Sequence, residues 1–268
     1  MQKPAIIGFS NHKGGVAKTT SCANMAYGIS AFFGLRVLCV DMDPQGHLTK
    51  SLGVSIPIDT TKEFLEGKNV LPHPVAERLH IIPSTLDLAV AELGYIGRPD
   101  WQFLLQNALR KHTEYDIVLL DCPPTLSILT TNVLTASKWL IVPILCEGFA
   151  IEGLAQILQT IRLVKNSVNP TLEILGVLPT RYDARKRVNR EVVELLPTLQ
   201  GGYFAGKVMD PIPDNVSITE AGPMGKSIYE YRGDSQGARA YSKACGWVVG
   251  HLGFENVNLA PLEAAHGK

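Results

Sequence analysis

Ala5-Ile6-Ile7-Gly8-Phe9-Ser10-Asn11-His12-Lys13-Gly14-Gly15-Val16-Ala17-Lys18-Thr19-Thr20 joins an apolar run to a loop with two glycines and then to a Lys-Thr-Thr step into a helical stretch. Strand, glycine loop, Lys-Thr and helix in that order form the context of a phosphate loop. Successive backbone N–H groups and the helix N-terminus face a polyphosphate, Lys18 reaches its β and γ groups, and Thr19 offers a hydroxyl to Mg²⁺. The strict pattern G-x-x-x-x-G-K-[ST] has His12 and Ala17 in its glycine positions. On the pattern alone, a phosphate loop and an ordinary glycine turn both stand.

Around this stretch, short β-branched runs at 5–9, 36–40, 79–82, 116–120, 140–144 and 172–178 alternate with amphipathic segments. The runs are apolar almost throughout, which is the habit of strands covered on both faces. Helices are expected at 20–33, ending before Gly34, and at 99–112, opening on Pro99. Helical spacing of Ile151, Leu154, Ile157, Leu158, Ile161 and Val164 marks another, and a last one is expected at 236–252. The class is α/β, a mostly parallel twisted sheet between two layers of helices. One domain over 1–254 and a loosely held tail over 255–268 are expected, since no linker or repeat interrupts the alternation.

The chain of 268 residues is 46% hydrophobic and 19% charged, enough to bury a large core, so a disordered or disulfide-stapled protein is excluded. Twenty-five basic residues balance twenty-five acidic ones, so net charge does not argue for a nucleic acid or membrane partner. Cys22, Cys39, Cys122, Cys146 and Cys245 form no C-x-x-C pair and read as reduced core thiols of a cytoplasmic protein. No apolar run is long enough to span a bilayer. The seven histidines form no zinc motif.

Lys13, immediately before the glycine pair, and two further segments in order extend the first motif. Lys13-Gly14-Gly15-Val16-Ala17-Lys18-Thr19-Thr20 resembles the deviant Walker A motif K-G-G-x-[GA]-K-T-T of the ParA and MinD family of ATPases. Val37-Leu38-Cys39-Val40-Asp41-Met42-Asp43-Pro44-Gln45-Gly46 is similar to that family's second motif, and Asp116-Ile117-Val118-Leu119-Leu120-Asp121-Cys122-Pro123-Pro124 to its Walker B strand. The resemblance implies a P-loop NTPase fold with ATP and Mg²⁺ as cofactors and slow intrinsic hydrolysis. It also implies that Lys18 and Thr20 contact phosphates, that Asp121 and Thr19 hold Mg²⁺ with support from Asp41, and that Asp43 orients the attacking water. Lys13 would reach across a homodimer interface to the partner's nucleotide. The residue-level alternatives are a helix cap or turn acid for each aspartate and a solvated loop lysine for Lys13.

The place of a guanine-reading Asn-Lys-x-Asp is held by Thr180-Arg181-Tyr182-Asp183, so the base is expected to be adenine, with Arg181, Pro213 and Asn215 beside it by resemblance or as ordinary turn residues. Arg185, Lys186, Arg187 and Arg190 form a cationic strip, read either as a solvated helix start or as a surface for non-specific double-stranded DNA. Asp214 and Ser217 stand where many chromosomal relatives carry arginines. The function implied is positioning or segregation of a large cargo by an ATP-dependent, nucleoid-associated dimer whose hydrolysis a ParB-like adaptor stimulates. The alternatives are a MinD-like membrane-associated ATPase, disfavoured by Glu255 and Glu263 in a tail with few cations, and a metabolic P-loop kinase or ligase.

Overall fold

The computed structural model describes residues 3–55, 57–148 and 150–254, so the expected tail lies outside the described residues. Seven strands form one sheet: β1 (Ala5–Phe9), β2 (Val37–Asp41), β3 (His73–Ala76), β4 (Leu79–Ile82), β5 (Ile117–Asp121), β6 (Trp139–Leu145) and β7 (Glu173–Thr180). Their order is β3-β4-β2-β5-β1-β6-β7, parallel throughout except for the edge strand β3, which runs antiparallel to β4. In β2, Val37 and Cys39 enter one apolar cluster while Leu38 and Val40 enter another. Burial on both faces is what the uninterrupted apolar runs require.

The helices in chain order are α1 (Lys18–Phe33), α2 (His47–Ser51), α3 (Thr61–Leu65), α4 (Asp87–Tyr95), α5 (Leu104–Leu109), α6 (Ile128–Ala136), α7 (Ala150–Ser167) and α8 (Arg187–Leu195). A kinked turn α9 (Leu199–Gly202), then α10 (Val216–Ala221), α11 (Ile228–Arg232) and α12 (Gln236–His251) complete the set. α1 and α12 pack on one face of the sheet, where Met25, Ile29, Tyr241 and Val248 are fully buried. α4, α5 and α6 cover the other face, and α7 and α8 close the core over β6 and β7.

Two expectations change. The helix expected over 99–112 is a 3₁₀ turn, Trp101–Phe103, followed by the short α5. Asn132 of α6 supplies the reason, because its Nδ2 donates to Trp101 O at 2.7 Å and its Oδ1 accepts from Leu105 N at 3.1 Å. One amide thereby occupies both ends of a bond that a continuous helix would make directly. The second change is the added strand β3, which is partly exposed and irregular at Pro74.

The topology sets the site. From β1 the chain crosses to β2, on the β5 side; from β5 it crosses to β6, on the far side of β1. Connections that leave neighbouring strands in opposite directions open a crevice at their C-terminal ends, which is where α/β sheets bind ligands. The register pairs Phe9 with Asp121 and Asp41 with Asp121, so both aspartates stand level with the start of the glycine loop.

Candidate nucleotide-binding site

The loop over 10–17 is held at three places. Asn11, 2% exposed, donates from Nδ2 to Pro143 O at 2.8 Å and accepts Lys13 N at 3.0 Å. His12 Nε2 lies 2.9 Å from Thr160 Oγ1 on α7. Thr180 Oγ1, at the end of β7, donates to Ile144 O at 2.9 Å and approaches Val16 O at 3.3 Å. Gly15 and Ala17 both take left-handed backbone conformations, with φ of 72° and 64°. Such conformations are the means by which successive N–H groups turn toward a common anion. A β-carbon on Gly14 or Gly15 would meet nothing within 4 Å among the described residues, which leave the front of the loop open. No side chain caps α1 and no acid occupies its first turn, which leaves the N–H groups and positive dipole end for an anion.

Ala17 therefore adopts the glycine conformation that its side chain resists. The left-handed region costs an L-residue about 1–2 kcal/mol, partly offset by the greater unfolded-state entropy of glycine. Ala17→Gly is expected to raise stability by about 1 kcal/mol in thermal or urea unfolding while nucleotide affinity stays within about threefold. A lowered melting temperature would show that Ala17 is not strained.

Lys18 is 6% exposed and donates to Asn11 O at 3.1 Å and Lys13 O at 3.0 Å. Burial lowers its pKa, opposed by the nearby Cys122, Asp121 and Asp43, which favour the charged form. Thr19 Oγ1 donates to Asp121 Oδ2 at 2.7 Å. Asp121 is fully buried, and its other oxygen, Oδ1, has no hydrogen-bond partner among the described residues. Burial and the adjacent Asp41 raise the Asp121 carboxyl, against the opposing effects of Thr19 and Lys18. An orphaned carboxylate oxygen beside a threonine hydroxyl at the mouth of a phosphate loop suits a hard divalent cation. Among the described residues no group of three or more His, Cys, Asp or Glu side chains is arranged to hold a metal ion by itself. A cation held by Thr19 and Asp121 would draw its remaining ligands from phosphate oxygens and water.

Asp41 stands beside this pair, but its oxygens are already engaged. Oδ2 accepts from Thr49 N at 2.8 Å and Thr49 Oγ1 at 2.7 Å, and Oδ1 accepts from Asp43 N at 3.1 Å. Its carboxyl is pushed up to about 6 by burial, against those hydrogen bonds. The geometry makes Asp41 an organiser of the 41–49 turn, beside Asp121 on the neighbouring strand. Asp43 is 7% exposed, and its Oδ1 accepts Gln45 N at 2.9 Å.

Lys13, Gly14, Gly15, Val16, Ala17, Lys18, Thr19 and Thr20 thus meet Asp41, Asp43 and Asp121 at one end of the sheet. Arg181, Pro213 and Asn215 gather next to it, since Tyr182 bridges Pro213 and Arg181 Nε lies 3.7 Å from Asp214 Oδ1. Arg181 is left-handed, with φ of 50°, and Asn215 caps α10 by accepting Ser217 N at 3.0 Å. Arg185, Lys186, Arg187 and Arg190 lie at the start of α8 and are exposed. Arg185 pairs with Asp183 at 2.9 Å and Arg187 with Glu191 at 2.6 Å, so acids hold half of the strip. The roles of Asn11, Thr49, Thr160 and Thr180 are not legible in the sequence, because the partners that tie them to the site are 8 to 164 positions away and no local pattern marks them.

The fold and this constellation define a P-loop nucleoside triphosphatase. A sequence model of the AAA domain family matches residues 4–174. The chain is 39% identical to the sporulation initiation inhibitor protein Soj of Bacillus subtilis, covering 88% of this chain and 94% of the relative. It is 41% identical to the chromosome-partitioning ATPase Soj of Thermus thermophilus, covering 92% and 96%. A crystal structure of cobyrinic acid a,c-diamide synthase from Mycobacterium smegmatis, with bound ADP and magnesium, superposes with a TM-score of 0.79 at 35% identity, covering 93% of this chain and 95% of that one. The chain belongs to the ParA/Soj family of ATPases.

Proposed function

We propose that this protein is an ATP-hydrolysing, ATP-dependent dimer that positions or segregates DNA or another large cargo, with residues 1–254 acting as one ATPase domain. The observation that carries the reading is the constellation of buried Lys18, the Thr19–Asp121 hydrogen bond and the orphaned Asp121 oxygen at the mouth of the loop. ATP is the nucleotide and Mg²⁺ its counter-ion. Bound magnesium supplies charge neutralisation at the terminal phosphates. Lys18 supplies the fixed cation, and the N–H groups of 14–20 supply neutral donors that need no reorganisation. Thr19 and Asp121 hold the metal, Asp41 fixes the turn beside it, and Asp43 orients water. Arg181, Pro213 and Asn215 flank the adenine. Lys13 acts on the partner subunit's nucleotide, as a charge clamp delivered only when two copies meet.

The strip at α8 is the DNA surface, and an adaptor of ParB type would accelerate hydrolysis and release the dimer. Two copies on one dimer double the strip, and each neutralised phosphate adds roughly −0.9 to the salt slope, so nucleotide acts as the switch for DNA. Because Arg185 and Arg187 already have carboxylate partners, Lys186 and Arg190 are expected to contribute more. Fluorescence anisotropy with a random-sequence duplex provides the test. Binding should require ATP, fall steeply with salt, and drop on the order of tenfold for Lys186→Ala with Arg190→Ala. Nucleotide-independent binding, or none at low salt, would overturn the reading and favour a metabolic ligase of the kind named for the similar solved structure. Among the described residues no helix is long and apolar enough to cross a membrane.

A further inference from the structure

Gly153, in the first turns of α7, is buried, and the atoms closest to its absent side chain all belong to Lys13. A β-carbon built there would lie 3.1 Å from Lys13 Cε, 3.3 Å from Cδ and 3.5 Å from Nζ. The Lys13 side chain therefore runs along α7 of its own subunit, in a berth that exists because position 153 has no side chain. The segment leading to it is fixed to the same helix by His12 and Thr160, 2.9 Å apart, and to β6 by Asn11 and Pro143. Lys18 holds the Lys13 carbonyl at 3.0 Å, so the ammonium proposed to receive phosphate also fixes the backbone that carries Lys13.

We propose that Gly153 is a positioning residue that seats Lys13 on its own subunit and thereby withholds it from the partner's nucleotide. This rests on the reading that Lys13 acts across a dimer. The seat competes with partner engagement, so the fraction of subunits with Lys13 free to cross sets the apparent affinity for dimerisation. Lys18 links that fraction to nucleotide, because an ammonium drawn toward phosphate loosens its hold on the Lys13 carbonyl.

The test is a graded series, Gly153→Ala and Gly153→Val, made in the full chain. Alanine and valine both have higher helix propensity than glycine, so folding is not at risk from the helix itself. An alanine β-carbon displaces the flexible end of Lys13 slightly, and valine displaces it further. The first readout is the rate at which Lys13 of the nucleotide-free monomer reacts with an acetylating reagent, followed by peptide mass spectrometry. It should rise in the order parent, alanine, valine, reaching about fivefold. The second is the protein concentration at which ATP dimerises the chain, measured by sedimentation, which should fall by a similar factor while monomer affinity for ADP is unchanged. Equal Lys13 reactivity across the series would overturn the seat. Faster acetylation with unchanged dimerisation would overturn the competition between seat and partner. Lys13→Ala separates the two readings: if it dimerises and hydrolyses ATP like the parent, the cross-subunit role of Lys13 is what fails.

Discussion

Replacing Lys18 by alanine is expected to weaken ATP binding by on the order of a hundredfold or more, the largest effect expected on nucleotide affinity. Lys18 is the buried cation of the loop, close enough to Asp121 and Asp43 for both to favour its charged form. Its removal takes away the counter-charge to the terminal phosphates and leaves Asp41 and Asp121 facing each other with less compensation. Truncating one member of a buried charged set costs about 2–5 kcal/mol, much of it as the penalty on the charges left behind. Two of the ammonium's donors are committed to Asn11 O and Lys13 O, so the variant also loosens the loop. Calorimetry with ATP and magnesium measures the loss directly. An affinity within threefold of the parent would remove Lys18, and with it the phosphate-loop assignment, from the site.

Asp43→Asn is expected to behave in the opposite way, keeping ATP affinity within about threefold while turnover falls on the order of a hundredfold to a thousandfold. Asparagine is the informative replacement, because its side-chain oxygen preserves the bond that Asp43 Oδ1 accepts from Gln45 N at 2.9 Å. The turn survives and only the charge is removed. Asp43→Ala removes both, so a gap between the two variants reports how much of the effect is turn geometry. Single-turnover hydrolysis separates chemistry from product release. If Asp43→Asn hydrolyses ATP at the parent rate, the water is oriented by another group.

The parts of this protein that were legible in its sequence are those in which local pattern and tertiary environment agree. The runs at 5–9 and 79–82 are strands residue for residue, and the helix after the loop begins two residues before the expected position 20. Strand β3 was not legible, since His73-Pro74-Val75-Ala76 is short, partly exposed and interrupted by a proline, and its pairing with β4 comes from the hairpin. The helix at 99–112 failed because Asn132, about thirty residues downstream, intercepts its first turn. At the site, Lys18 and Thr19 could be named in advance from the order strand, glycine loop, Lys-Thr and helix, Asp121 because the end of a buried strand is an informative place for a charge, and Asp41 through the family resemblance. Their support could not be named: Thr49 restrains Asp41, Thr180 ties β7 to the loop, and Gly153 seats Lys13 through contacts that only the folded chain creates.

The two margins of the sheet are closed differently. On one side, β3 offers four residues, one of them a proline without an N–H, and a break in register at Pro74. On the other, the outward backbone groups of the β7 side are taken up by the segment that follows α9. Val177 N donates to Lys207 O at 2.8 Å, Met209 N returns to Val177 O at 2.9 Å, and Ile212 N donates to Pro179 O at 2.8 Å. Among the described residues neither margin presents a long ladder of unused donors and acceptors. A filament of this protein could not grow by continuing the sheet from one molecule to the next, as amyloid does. The helical layers instead offer side chains, through which contacts between copies can be made and broken without unpicking a backbone.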